Sequence, residues 1–169
     1  IVAIYTGLAQ GIQPISSRAH GVRDTRSTKT VLRYALSAMA GFSLLVYLII
    51  FVQADGIINI FNSEGNTTLQ QIANLGLKIY FTGGIFIGFN IILSVYYTST
   101  EKPGPAHIIS LLRGFFIIIP MAYILSSLLD MIGVWLAFPM TEGIVAVVGA
   151  VLYFKFRKKT GGQKDEHMA

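Results

Sequence analysis

Residues 34–54 read YALSAMAGFSLLVYLIIFVQA, without one Asp, Glu, Lys or Arg among them. A helix rises 1.5 Å per residue, so about 20 residues cross the hydrocarbon core of a bilayer. The apolar side chains do not alternate, and a barrel strand needs only about ten residues, so a strand does not fit. In hydrocarbon each backbone N–H and C=O must be satisfied within the segment, which leaves a helix. This stretch is a membrane-spanning helix, and it sets the terms for the rest of the chain.

Charge-free runs recur at 1–17, 79–100, 114–129 and 143–154. Of 169 residues, 53% are hydrophobic and only 12% charged, about half the charged share of a soluble domain. The sequence predicts an all-α integral membrane protein, a polytopic helical bundle. Its expected spans are about 1–17, 31–53, 70–98, 106–128 and 132–154. A basic loop (18–30), a polar loop (54–69) and two short turns (99–105 and 129–131) join them. The spans form one transmembrane unit, 1–154, followed by a basic polar tail, 155–169. The chain starts at Ile1 inside an apolar segment, with neither an initiator Met nor a charged leader. A secretory signal therefore fits poorly, and the chain reads as the C-terminal part of a longer protein.

With no cysteine, disulfides and thiolate metal sites are excluded. The net charge of +5 raises nucleic acid as a partner, but the basic residues lie between apolar spans, and topology accounts for them better. Arg18, Arg23, Arg26, Lys29 and Arg33 cluster after the first span. Lys102 follows the third, and Lys155, Arg157, Lys158, Lys159 and Lys164 follow the last. The loops around Asp55 and Asp130 carry no Lys or Arg. By the positive-inside rule, loop 18–30 and the tail are expected in the cytoplasm of a multi-pass cell-membrane protein. Lys78, inside the third span, is expected to snorkel outward, and Arg113 to reach the cytoplasmic face. Tyr96, Tyr97 and Tyr153 read as interface aromatics. Gly7/Gly11 and Gly84/Gly88 are small-residue pairs suited to close helix approach. Asn66-Thr67-Thr68 has the form of a glycosylation sequon, set aside because the remainder reads as bacterial.

A few residues are expensive in lipid. Glu142 is the only acid deep in a span, roughly 13 Å along the helix from Gly133. A buried acid marks an ion or proton pathway, or else bonds to a neighbouring helix for structure. Asn90, also deep, lines a pathway or bonds across helices. Pro14, Pro120 and Pro139 each remove a helical hydrogen bond, from the carbonyls of Gln10, Phe116 and Trp135, and bend their helices. Gln10 and Gln13, three residues apart, share one helix face with the freed Gln10 carbonyl, so that face should meet protein or water. No nucleophile–base pair, phosphate loop or metal-ligand cluster is present, which points away from an enzyme and leaves no metal site or cofactor beyond a coupling ion.

The order of these motifs resembles the second half of multidrug and toxic compound extrusion (MATE) transporters. The resemblance rests on Gly7-Leu8-Ala9-Gln10-Gly11-Ile12-Gln13-Pro14-Ile15-Ser16-Ser17 and the Gly and basic loop after it. Later come Tyr96-Tyr97, Lys102, Pro105, Ser110-Leu111-Leu112-Arg113-Gly114, Ile119-Pro120 and Gly133-Val134-Trp135-Leu136-Ala137-Phe138-Pro139. It runs to about Phe154, and it implies the last five of twelve helices in a two-lobed transporter. The implied function is secondary-active efflux of cationic amphipathic compounds by antiport with H+ or Na+, through alternating access. The implied partners are the lipid bilayer, those substrates and a missing N-terminal lobe, with no nucleic acid. On this resemblance Gln10, Gln13 and Asn90 line the cavity, and Glu142 is a candidate ion or proton acceptor. The sequence departs from the family pattern in having Arg18-Ala19-His20 after the proline segment and no acid at 79–100, which argues against a sodium site in the third span. A lipid-linked oligosaccharide flippase of related fold would call for a more cationic cavity. A membrane-embedded enzyme would call for clustered His, Asp or Glu, and a purely structural subunit leaves Glu142 without a role.

Overall fold

A computed structural model describes residues 1–62 and 65–166, with side chains through Phe156. It is helical, with α1 Val2–Gly21, α2 Thr25–Phe61, α3 Thr67–Thr82, α4 Gly84–Ser99, α5 Pro103–Leu111, a π-helical turn Leu112–Phe116, and α6 Ile118–Glu166. Three stretches are long and apolar enough to cross a membrane, Thr25–Phe61, Thr67–Ser99 and Pro103–Phe156. Leu44, Leu45, Leu48 and Val52 of α2 point outward and are exposed. That is the arrangement lipid favours and water does not.

The expected basic loop 18–30 is almost wholly helical. Only residues 22–24 separate α1 from α2. Arg23 takes φ 58° in the reversal, and Asp24 then caps α2, accepting from the Ser27 amide at 2.9 Å. Hydrogen bonds from the Ser27 side chain and amide hold the Asp24 carboxyl below its usual range. The cap is thus complete above the carboxylate's unfolded pKa and is lost only as pH falls through the lower folded value. At the far end of α2, helix replaces much of the expected loop 54–69. Asn66 caps α3 by accepting from the amides of Thr68 and Leu69, which gives the sequon asparagine a structural role.

The third expected span is helical but divided at Gly83 into α3 and α4. The division faces a tight interface. A Cβ on Gly83 would come 2.7 Å from the Phe138 ring and 3.1 Å from Pro139 Cα. Gly76 packs beneath Trp135, and the Tyr80 ring stacks on Phe138 with centroids 4.5 Å apart. Gly84 and Gly88 serve as predicted: α1 and α2 close over them through Tyr5 and Met39. Gly7 and Gly11 do not, since both face open space.

The fourth and fifth expected spans are joined through one residue. Asp130 interrupts α6 with φ 49°, ψ −127°, the geometry of the first central position of a type II′ turn. The chain reverses there. Residues 125 and 133 of a straight helix would lie about 12 Å apart, yet a Cβ on Gly133 would overlap the Leu125 carbonyl. We refer to 118–129 and 131–166 as the two arms of α6. The second arm continues as helix to Glu166, through most of the expected polar tail.

Two apolar clusters result. One joins Tyr5, Ala9 and Ile12 of α1 to Leu32, Ala35 and Met39 of α2 and Ile87 and Ile92 of α4. The other joins Leu93 and Tyr97 to Ala106, Ile109 and Val145. Tyr97, expected at the interface, is instead buried and donates toward the Gly149 carbonyl at 3.4 Å. The Tyr5 hydroxyl lies 2.7 Å from Ser43 Oγ, bridging α1 to α2.

Two substitutions test this packing in thermal unfolding of the detergent-solubilised full-length protein. Asp130→Gly should raise stability, because a non-glycine residue in that backbone region stores about 1–3 kcal/mol of strain. Gly83→Leu should lower it by about 1–3 kcal/mol, since the added atoms meet the Pro139 backbone and not only a movable side chain.

Candidate functional site

Glu142 sits one turn beyond Pro139 on the second arm of α6, only 4% exposed. Its Oε1 accepts from Arg113 Nη2 at 2.9 Å and Nε at 3.1 Å. Its Oε2 accepts from Asn90 Nδ2 at 2.7 Å, and the same amide also donates to the Glu142 carbonyl at 3.0 Å. Three separate stretches therefore meet at one carboxylate: α4 through Asn90, the π-helical turn through Arg113, and α6.

The local sequence makes this possible. In the π-helical turn the Ile117 amide donates to the Leu112 carbonyl, five residues back. Pro120 falls in the first turn of α6, where a missing N–H is tolerated. The expected kink at Pro120 is thus taken up as a π-helical turn upstream, and Arg113 lies inside it. Such turns are rare and tend to occur at functional sites. Arg113 was expected to reach the cytoplasmic face; instead it turns inward and pairs with Glu142. Lys78 also departs from simple snorkelling, its ammonium lying 4.9 Å from the centre of the Phe51 ring.

The site leaves polar atoms without partners. Asn90 Oδ1 and Thr141 Oγ1 are buried with no hydrogen bond. Asn90 is itself fully buried, so an orphan acceptor lies on the same side chain that holds Glu142. The structure thus brings Asn90 and Glu142 together. It keeps Gln10 and Gln13 apart from them: both are exposed, on the flank of α1 away from the buried stripe Tyr5, Ala9, Ile12, Ser16 and Ala19. Neither amide has a hydrogen-bond partner among the described residues. Pro14 lies within α1, exposed on that same open side, and Pro139 lies within α6 against Gly83.

Arg113 is the site residue that sequence reasoning missed. The signal for Arg113 was the presence of one deep cation and one deep anion in neighbouring spans, a pairing that the cost of isolated charge in lipid makes worth testing.

Fold and site together define a polytopic helical membrane protein with an ion-paired polar node inside the bundle. The MatE family model matches residues 1–124, and the chain belongs to the MATE family. Similar proteins include an uncharacterized protein of Mycoplasmoides gallisepticum, 28% identical over 72% of this chain and 21% of the relative. Another is the multidrug export protein MepA of Staphylococcus saprophyticus, 20% identical over 96% of this chain and 35% of the relative. The fold resembles an inward-facing multidrug resistance MATE family transporter of the MOP superfamily, with TM-score 0.81 and 19% identity over 94% of this chain and 38% of that one. The chain spans about a third or less of the length of the curated relatives it matches.

Removing one partner of a buried ion pair strands the other, which costs about 3–5 kcal/mol, whereas removing both relieves that penalty. Arg113→Met strands the buried Glu142 and should lower the stability of the full-length protein by about that amount, whereas Glu142→Leu leaves Arg113, a quarter exposed, and should cost less. The double variant should lose less than either single, as read from a double-mutant cycle of thermal unfolding.

Proposed function

We propose that this chain is the C-terminal part of a secondary-active exporter of cationic amphipathic compounds, driven by antiport with protons or sodium through alternating access of two lobes. The observation that carries this reading is Glu142, a carboxylate buried between membrane helices in a MATE-family chain and held by one arginine and one amide. Buried acids of this kind mark ion pathways. Support for the cargo comes from MepA, a multidrug export protein, and from the multidrug resistance transporter that shares the fold.

In this reading Gln10 and Gln13 present unpaired amides from the open face of α1 to the space shared with the N-terminal lobe, where a cationic compound passes. Asn90 and Glu142 form the ion-responsive site, and Pro14, Pro120 and Pro139 shape the helices around it. Between the two coupling ions, this reading takes the proton. Arg113 already places a positive charge at 2.9 Å from the carboxylate, so a metal cation there meets repulsion at close range. A proton only neutralises Glu142 and releases Arg113. The basic ends of the helices lie in the cytoplasm, by the positive-inside rule, in a multi-pass protein of the cell membrane.

Two alternatives have less behind them. A flippase for lipid-linked oligosaccharides calls for free cations in the cavity, but Arg113 is engaged by Glu142 and Lys78 lies over Phe51. A membrane-embedded enzyme calls for clustered ligands or acids, and no group of three His, Cys, Asp or Glu occurs among the described residues.

The test is efflux of a fluorescent cation from vesicles carrying the full-length protein under an imposed pH or sodium gradient. Glu142→Gln keeps the size and the Asn90 bond but cannot cycle a proton, and it should cut gradient-driven efflux by about a hundredfold or more, the range typical of a lost proton-transfer group. Efflux at the wild-type rate with unchanged ion dependence would remove Glu142 from the mechanism. If Arg113→Gln/Glu142→Gln folds as well as the parent yet stays inactive, loss of stability is not the cause.

A further inference from the structure

A groove of about 480 Å³ opens between α2, α4 and the second arm of α6, away from the Glu142 node. Its walls are apolar, built mainly of Leu32, Leu36, Phe89, Leu93, Tyr153 and Phe154. Lys29 and Arg33, one helical turn apart on the same face of α2, stand at one end. Both are exposed, and neither has an ion-pair partner within 4 Å among the described residues. Lys29 and Tyr153 also line a wider polar recess that adds Arg23, Arg26 and Lys102, balanced by Asp24 and Glu101. The groove therefore runs from an apolar slot within the span into a recess with excess positive charge at the helix ends.

That sequence of chemistries matches one kind of ligand, with a chain that seeks hydrocarbon and a head that carries negative charge. The geometry points to a binding site for an anionic phospholipid, its acyl chain in the slot and its phosphate against Lys29 and Arg33. The volume lies within the range of small-molecule sites, about 300–1,000 Å³. Basic pockets between helix ends are the form that lipid head-group sites take. Ser37, exposed on the same face one turn beyond Arg33, adds a hydroxyl below the head-group position. A cationic transport substrate is poorly served here, because the two fixed charges repel it. The inference rests on the chain's membrane-spanning fold and not on its transport activity.

Native mass spectrometry of the full-length protein, delipidated and then mixed with defined lipid, reads the site directly. Phosphatidylglycerol should be retained in preference to phosphatidylcholine. Lys29→Gln/Arg33→Gln should weaken that retention by about thirty-fold, at about 1 kcal/mol for each basic residue near a lipid surface. Both side chains are exposed, so this variant is expected to fold. Ala150→Trp fills the slot and leaves both charges, and it should also abolish the preference. Equal retention of the two lipids by the parent protein would overturn the proposal and would indicate that the other lobe or a second copy covers the groove. Unchanged phosphatidylglycerol retention in the charge variant would overturn the head-group assignment, and unchanged retention in Ala150→Trp the acyl seat. Displacement of the lipid by millimolar inorganic phosphate would show a free-anion site and not a lipid site.

Discussion

A carboxylate buried in a membrane bundle must be answered by partners, and the rest of this structure is arranged to supply them. Glu142 draws a cation from the π-helical turn and an amide from α4, twenty-nine and fifty-two residues away in sequence. The reversal at Asp130 returns the second arm alongside the first, and the half-buried Arg113 of the π-helical turn reaches Glu142 across it. Pro120 removes the hydrogen bond that would have restored α-helical register beside it.

Asparagine is a short side chain, so its contact with Glu142 requires the backbones of α4 and α6 to lie close. That approach is prepared on both sides of the polar contact. Gly76 under Trp135 and Gly83 against Phe138 and Pro139 clear the way before it. Past it, Gly149 sits where a Cβ would meet Leu93 at 2.9 Å. Apolar attraction does little to drive helices together in lipid, so close packing and hydrogen bonds must hold the pair. The small residues of α3, α4 and α6 and the Asn90–Glu142 bonds are therefore parts of one interface.

The membrane character was legible because a lack of charge over helical lengths has one physical meaning. The costly residues Glu142 and Asn90 were legible for the same reason. Their pairing was not, since hydropathy gives depth along a helix but not its rotation, and the π-helical turn changes the rotation of Arg113. The short connections were misread as loops because clustered Arg and Lys look like solvated chain. In the structure most of those charges lie along helix ends, and one capping aspartate suffices for the turn. Gly84 and Gly88 were legible as contacts, while the identical spacing at Gly7 and Gly11 faces open space. Spacing shows which residues permit approach, and only the neighbours decide whether approach occurs.

The placement of the two polar features bears on how coupling would work on the proposed reading. The Glu142 node lies inside the bundle, whereas Gln10 and Gln13 lie on its open flank. On that reading a proton taken up at Glu142 would act first on helix packing within this lobe and not on the cargo. The connecting element is α4. It carries Asn90, and within the two turns before it presents Gly84 and Gly88, over which Tyr5 of α1 closes. Tyr5 in turn holds α2 through Ser43. On that reading, neutralising Glu142 would free Arg113 and weaken the tie between α4 and α6, while α1 and α2 both stay packed over Gly84 and Gly88 of α4. An exchange mechanism built this way needs no contact between ion and substrate, only one helix whose packing both of them bias.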